Sequence, residues 1–258
     1  MLILLPPSDT KALVTHGQPL DPAALSFPSL APTRAAVLDA VIEISAEEDA
    51  TRLLGERASM AEVVRRNVDL FDAPAAAVEN VYSGVLYAAI GLDALDTAAR
   101  RRAGAWIVVI SALWGAVRFG DRIPPYRLDM CARLPGLGHL TDVWREPLDD
   151  VLPALAGSGL LVDCRSAGYA TAWRPRGALA EQTVIVKVLG DESGVRRASG
   201  HAAKRARGLL VRRILTDAID APRPDGLAEA LGEHFDVDLR RPPRPGRSWE
   251  LRVVGPSA

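Results

Sequence analysis

Of the 31 basic residues, only Lys11, Lys187 and Lys204 are lysines. An amine can shed its proton and act as base or nucleophile, whereas a guanidinium effectively stays charged. In a chain so biased towards Arg, a retained Lys marks a position where an amine could be wanted. Lys11 closes the run Pro6-Pro7-Ser8-Asp9-Thr10-Lys11, a rigid turn crowded with hydroxyls. Ser8-x-x-Lys11 has the spelling of a serine acylase but lacks its companion motifs, and with no glycine the run is not a phosphate loop. Lys204 sits in Lys204-Arg205-Ala206-Arg207-Gly208, with Arg212 beyond it. A third stretch, Ser111–Met130, mixes Arg118, Asp121, Arg122, Arg127 and Asp129 with Leu113, Trp114, Val117, Phe119, Tyr126 and Leu128. An unpaired buried charge is very costly, so this mixture suits the wall of a polar cleft. In catalytic terms Lys11 and Lys204 are candidate amines and Asp121 a candidate base or counter-ion, with Arg118 and Arg127 gripping a phosphate or carboxylate. The same residues also fit structural ion pairs, Arg118 with Asp121 or Arg127 with Asp129.

Strands must hold these groups. Leu2–Leu5 is a short apolar run that reads as a buried strand feeding the Lys11 turn, and α/β sheets place ligands beyond strand C-termini. Trp106–Ile110 reads as a central strand feeding Ser111–Met130. There the spacing predicts a helical or turn piece through Val117, a bend, and an extended arm stiffened by Pro124-Pro125 and carrying Tyr126 and Arg127. Leu160–Cys164 reads as a strand ending at Arg165-Ser166, and Thr183–Leu189 as a strand with Lys187 in an edge-protecting role. Helical spacing runs from Thr33 to about Asn67, with Val37, Val41 and Ile44 as the apolar stripe and Ser45-x-x-Glu48 as a capping box. Asp93–Arg102 reads as a helix ending in three arginines. The basic block 194–215 contains Arg196, Arg197 and the Lys204 run without an acid, and reads as helix from His201 to Leu215. Lys204, Gly208 and Val211 share one face; Arg205, Leu209 and Arg212 share another. A mid-helix glycine costs roughly 1 kcal/mol relative to Ala, so Gly208 predicts close approach of a backbone or a ligand. Without internal repeats or a linker, the chain reads as one α/β domain over residues 1–258, mixed in character, with a central mixed sheet surrounded by helices.

Leu113-Trp114-Gly115, Arg118, Asp121 and Pro125-Tyr126-Arg127-Leu128-Asp129-Met130 together resemble the signature block of the YaaA family of peroxide-stress proteins. Phe119-Gly120 departs from the Pro and small or apolar residue expected there. Val81-Tyr82-Ser83-Gly84-Val85-Leu86-Tyr87, Ser166-x-x-Tyr169 and the Lys204–Arg212 run match further family patterns, as does the opening strand–Pro–Ser–x–x–Lys layout. The resemblance implies a family-specific fold with a positively charged cleft lined by Ser8, Lys11, Tyr82, Ser83, Gly84, Ser166 and Tyr169. It implies a cytoplasmic protein that binds duplex DNA and limits iron-dependent damage under peroxide. A helix-hairpin-helix grip on the DNA backbone is reported for the family. Leu54-Gly55 is where such a turn would fall, although Glu56-Arg57 follows it. Leu134-Pro135-Gly136-Leu137-Gly138 spells the loop more closely, but the Pro-Pro-Tyr arm ahead of it leaves no room for a first helix.

Two functional readings follow. In the first, Arg118, Arg127, Lys204, Arg205, Arg207 and Arg212 neutralise phosphates of duplex DNA while Tyr82 or Tyr126 stacks on an unpaired base. The net charge of −1 then requires a local basic patch. In the second, the chain is an enzyme acting on a nucleotide, nucleobase or small metabolite, because phosphate binding needs no Ser8, Ser83, Asp121 or Tyr126. No His, Cys or carboxylate set has metal-ligand spacing, so neither a metal nor a cofactor is expected and any effect on iron would be indirect. Two cysteines without ligand spacing suit a reducing cytoplasm, and no apolar run is long enough to span a membrane.

Overall fold

A computed structural model describes residues 1–190 and 200–254. Arg196 and Arg197 of the basic block lie outside the described residues. Seven strands make the main sheet: β1 (Leu2–Leu5), β2 (Ile107–Ser111), β3 (Gly115–Val117), β4 (Leu161–Asp163), β5 (Thr183–Leu189), β6 (Val237–Arg240) and β7 (Trp249–Val254). Their order across the sheet is β6-β7-β5-β4-β1-β2-β3. β1 runs parallel to both β2 and β4, and β5 runs parallel to β4 and β7. Antiparallel partners, β3 on β2 and β6 on β7, form the two edges. Every residue of β1 and β2 is buried, as apolar runs in a sheet covered on both faces must be.

The principal helices are α1 (Ala31–Ser45), α2 (Val85–Ile90), α3 (Thr97–Trp106), α4 (Arg145–Ala156), α5 (Ala167–Ala170), α6 (Gly200–Thr216) and α7 (Pro224–Gly232). Val37, Val41 and Ile44 are buried on α1 as the stripe requires. The helix pair α2 and α6 is the most intimate of the fold. A Cβ on Gly208 would stand 2.3 Å from the Leu86 carbonyl oxygen, so only glycine lets the two backbones come this close.

Several local expectations are corrected. Gly115–Val117 is a strand, not a helical or turn piece: Gly115 takes φ +69°, closes a short loop after Ser111, and pairs with it in a hairpin. The Trp144 ring fills the space where a Gly115 side chain would sit. Ser45 ends α1 and accepts a hydrogen bond from Asn67 Nδ2, so it caps no following helix. The Asp93–Arg102 helix instead runs Thr97–Trp106, started by Asp96 accepting from the Ala99 N–H. Its arginines therefore lie mid-helix, where Arg102 donates to the Leu215 carbonyl. Lys187 is exposed, but β5 lies between β4 and β7 and is no edge. Leu134–Gly138 turns a small hairpin, Arg133–Leu134 against Gly138–His139, with no helix before it.

Candidate functional site

β1 has β2 on one side and β4 on the other, so the chain reverses its direction of travel across the sheet there. A crevice beyond the strand ends is expected at such a point. Three connections meet at it: Pro6–Lys11 after β1, Ala112–Trp114 after β2, and Cys164–Tyr169 after β4.

The Pro6–Lys11 turn lies alongside Val81–Gly84. Lys11 bridges to Tyr82, the Ala12 N–H donates to the Val81 carbonyl, and the Gly84 N–H donates 2.8 Å to Ser8 Oγ. A Cβ at Gly84 would stand 2.4 Å from that oxygen, which explains the glycine. Lys11 Nζ donates to the Ser8 carbonyl at 2.8 Å and lies 4.2 Å from the centre of the Tyr126 ring. Behind it runs a buried hydroxyl chain, Tyr82 to Tyr126 at 2.9 Å and Tyr126 to Ser111 at 2.6 Å. Ser111 Oγ also accepts from the Leu113 and Trp114 N–H groups, which fixes the chain to the β2–β3 turn. Tyr87 donates to the Pro6 carbonyl.

The electrostatics follow from burial. Loss of water lowers the Lys11 amine to about 7, helped by Arg127 and opposed by Asp9, Glu56 and Asp129. Burial pushes the Tyr126 hydroxyl up to about 12 and holds those of Tyr82, Tyr87 and Tyr169 well above their ordinary value. At neutral pH the tyrosines are therefore proton donors, and Lys11 is partly a free amine.

Arg127 is held from two directions. Asn67, fully buried, accepts from its N–H and donates to its carbonyl, both at 2.8 Å. Glu56 takes its guanidinium on both carboxylate oxygens, at 2.7 and 2.9 Å. The partner is thus Glu56 and not Asp129. Gly55 at φ +70° makes the turn that sends Glu56 inwards, at the position where the family resemblance would place a helix-hairpin-helix turn. On the far side of the Pro6–Lys11 turn a cavity of about 150 Å³ opens, lined by Ser8, Asp9, Thr10, Val85, His201 and Lys204 among others. Lys204 Nζ pairs there with Asp9 at 2.5 Å.

Ser8, Lys11, Tyr82, Gly84, Tyr126, Arg127, Tyr169 and Lys204 thus gather around one turn. Ser83 lies exposed at its rim, 3.5 Å from the Thr10 carbonyl, and Ser166 precedes α5 without capping it through its side chain. Other candidates are engaged elsewhere. Asp121 accepts from the Ser26 N–H and hydroxyl and from the Arg118 N–H, so it ties two loops together. The Arg118 guanidinium donates to the Gly104 and Ala105 carbonyls at the end of α3, not to Asp121. Arg212 donates to the Ile90 and Gly91 carbonyls at the end of α2. Gly208 faces α2 backbone, Arg207 reaches towards the Val186 carbonyl, and Arg205 is exposed.

The sequence reading missed Asp9, Glu56, Asn67 and Ser111 as members of the site. Asp9 carried a signal, as the one acid beside Lys11; the others are brought in only by the fold. Among the described residues no group of three or more His, Cys, Asp or Glu is arranged to hold a metal ion, and no helix is long and apolar enough to cross a membrane.

The family model described as peroxide stress protein YaaA matches residues 1–239. A UPF0246 protein of Streptomyces coelicolor is 43% identical over 98% of both chains. A UPF0246 protein of Corynebacterium efficiens is 36% identical over 98% of this chain and 100% of its own. One from Cereibacter sphaeroides is 34% identical over 70% of this chain and 73% of its own. The match runs through the Lys11 turn, the tyrosine pair and the Lys204 helix alike, and the chain belongs to the YaaA family of peroxide stress proteins, UPF0246.

Proposed function

We propose that this chain is a cytoplasmic enzyme of the peroxide-stress response that works on a nucleotide, nucleobase or small metabolite by amine chemistry at Lys11. The observation that supports this most is the Lys11 amine lying on the Tyr126 ring with, among the described residues, only a backbone carbonyl as its hydrogen-bond acceptor. A lysine kept for charge would be paired with a carboxylate, as Lys204 is with Asp9. In this reading Lys11 takes a proton from the substrate or adds to an electrophilic carbon. The Tyr82–Tyr126–Ser111 chain supplies or receives the proton, and Arg127 and Lys204 orient anionic groups. Acid–base work falls to Lys11 rather than Asp121, whose oxygens are already engaged.

The test is a titration of protein labelled with 13C at lysine Cε, which resolves just three side chains. Lys11 is expected to titrate near pH 7. A midpoint at the ordinary lysine value of 10.5 would remove the chemistry on which the reading depends.

Binding of duplex DNA, limiting iron-dependent damage by shielding it, is a second reading. It draws support from Arg205, exposed one residue from Lys204 on α6. Against it, Arg118, Arg127 and Arg212 spend their donors inside the protein. On this reading affinity for a fluorescent duplex falls steeply across a salt series, and Arg205→Ala reduces the logarithmic slope by about 1. Weak binding indifferent to salt and to the substitution would sink it.

A further inference from the structure

The cavity on the α6 side of the Pro6–Lys11 turn is lined by polar groups, Ser8, His201 and Lys204 among them, and by apolar ones, Val85 and Tyr87. Two details mark the polar groups. Ser8 is only 5% exposed, and its oxygen accepts from the Gly84 N–H. No acceptor for its own proton is present among the described residues, so a buried hydroxyl donor is left over at the cavity wall. Lys204 meanwhile holds the Asp9 carboxylate, and Asp9 also belongs to the cavity lining. Asp9 and Lys204 are both well exposed, at 58% and 39% of their side chains. A pair this open to water contributes little to stability and is easily exchanged for another partner.

The geometry points to this cavity as a seat for the oxyanion of a small ligand, a phosphate monoester or a carboxylate, with Asp9 standing in for that anion on Lys204 until the ligand replaces it. The ligand's oxygens accept from the Lys204 ammonium and the Ser8 hydroxyl, and its carbon portion lies towards Val85 and Tyr87. A cavity of about 150 Å³ holds the anion and a few further atoms, so a larger ligand extends out of its mouth. Ser8 links the two sides of the turn, because its carbonyl holds Lys11 Nζ while the residue also belongs to the cavity lining. An anion bound here would therefore stand one residue from the amine. The inference deepens the amine-enzyme reading and relies on it for the site's purpose, but its test does not.

The full chain is titrated calorimetrically with inorganic phosphate and, separately, with acetate, at constant ionic strength. Saturable binding of phosphate alone identifies a phosphate ligand, binding of acetate alone identifies a carboxylate, and either supports the site. Asp9→Asn removes the stand-in and is expected to tighten binding by about two- to fivefold, the worth of an exposed ion pair. Lys204→Ala, which removes a charge-assisted hydrogen bond, is expected to weaken it about tenfold or more. Ser8→Ala is expected to weaken it while leaving the Lys11 titration in place. Failure of both anions to bind wild type and Asp9→Asn, or equal affinity in these two proteins, overturns the proposal. The lysine titration is read on the same samples. A Lys11 midpoint near 7 without anion binding sinks the seat alone, and anion binding with an ordinary Lys11 midpoint sinks the amine reading alone.

Discussion

Replacing Arg165 with Met is expected to destabilise the protein by about 3–5 kcal/mol, because it strands a buried carboxylate. Arg165 and Asp163 are 4% and 3% exposed at the C-terminal end of β4. The guanidinium donates to both Asp163 oxygens, at 2.9 and 2.7 Å, and to the Tyr169 and Trp173 carbonyls. Burial pushes the Asp163 carboxyl up, and Arg165 more than offsets this, leaving it below its ordinary value of 3.8. The pair's contribution is therefore complete at neutral pH, and it is lost as pH falls below 3.8 towards the lower folded value. Urea unfolding at pH 7 checks the loss. The double variant Asp163→Asn/Arg165→Met should recover much of it, since no charge is then left buried. An unchanged midpoint for Arg165→Met would mean that Asp163 simply takes up a proton when its partner is gone. The pair matters to the site because Arg165 donates to the carbonyl of Tyr169, whose buried ring lies within electrostatic reach of Tyr126, Asp129, Asp9 and Arg127.

That Glu56 is invisible in the sequence as a partner of Arg127, while Gly208 stands out, is a matter of range. A glycine inside a helix is costly whatever surrounds it, so its sequence neighbourhood alone predicts the close helix contact that α2 makes. Leu2–Leu5 and the strand after Trp106 are legible for the same kind of reason, as apolar runs too short for helices and bounded by prolines or glycines. The family resemblance rests on short contiguous motifs, and these too are local. Ion pairs are not. Arg127 finds Glu56 from 71 positions away through the turn at Gly55, whereas sequence proximity favoured Asp129. Asp121 illustrates the converse error. Embedded among arginines it looks catalytic, yet Arg118 turns to a helix end and Arg122 to the Ala75 carbonyl, leaving Asp121 to hold Ser26. Gly115 falls where the spacing predicts a helical or turn piece, and its positive φ instead closes a hairpin packed against Trp144. Residue type thus announced which groups were unusual; only the fold decided which of them meet.

Lys11 is the group for which unusual type and unusual place coincide, and the cost of keeping it there can be measured. A lysine whose amine falls from 10.5 in the unfolded chain to about 7 in the folded one binds its proton less tightly when folded. Between those values the unfolded state carries more protons, so stability rises with pH. The penalty is complete below about pH 7 and fades as pH climbs towards 10.5. Its ceiling is about 4–5 kcal/mol, and with the residue half-buried we expect roughly 2–3 kcal/mol. Lys11→Met keeps an unbranched apolar stem over Tyr126 and gives up the bond to the Ser8 carbonyl and the amine's contact with the Tyr126 ring. The variant should therefore be more stable than wild type at pH 6–7, with the difference shrinking steadily towards pH 10. Paired urea unfolding curves across that range isolate Lys11, because every other titrating group is common to both proteins. A variant less stable than wild type at pH 7, or a difference that does not change with pH, would show that the amine is charged in the folded state and serves structure. Greater stability without the amine would mean that the fold tolerates a destabilising group at the mouth of β1, a trade expected where a residue is retained for its chemistry.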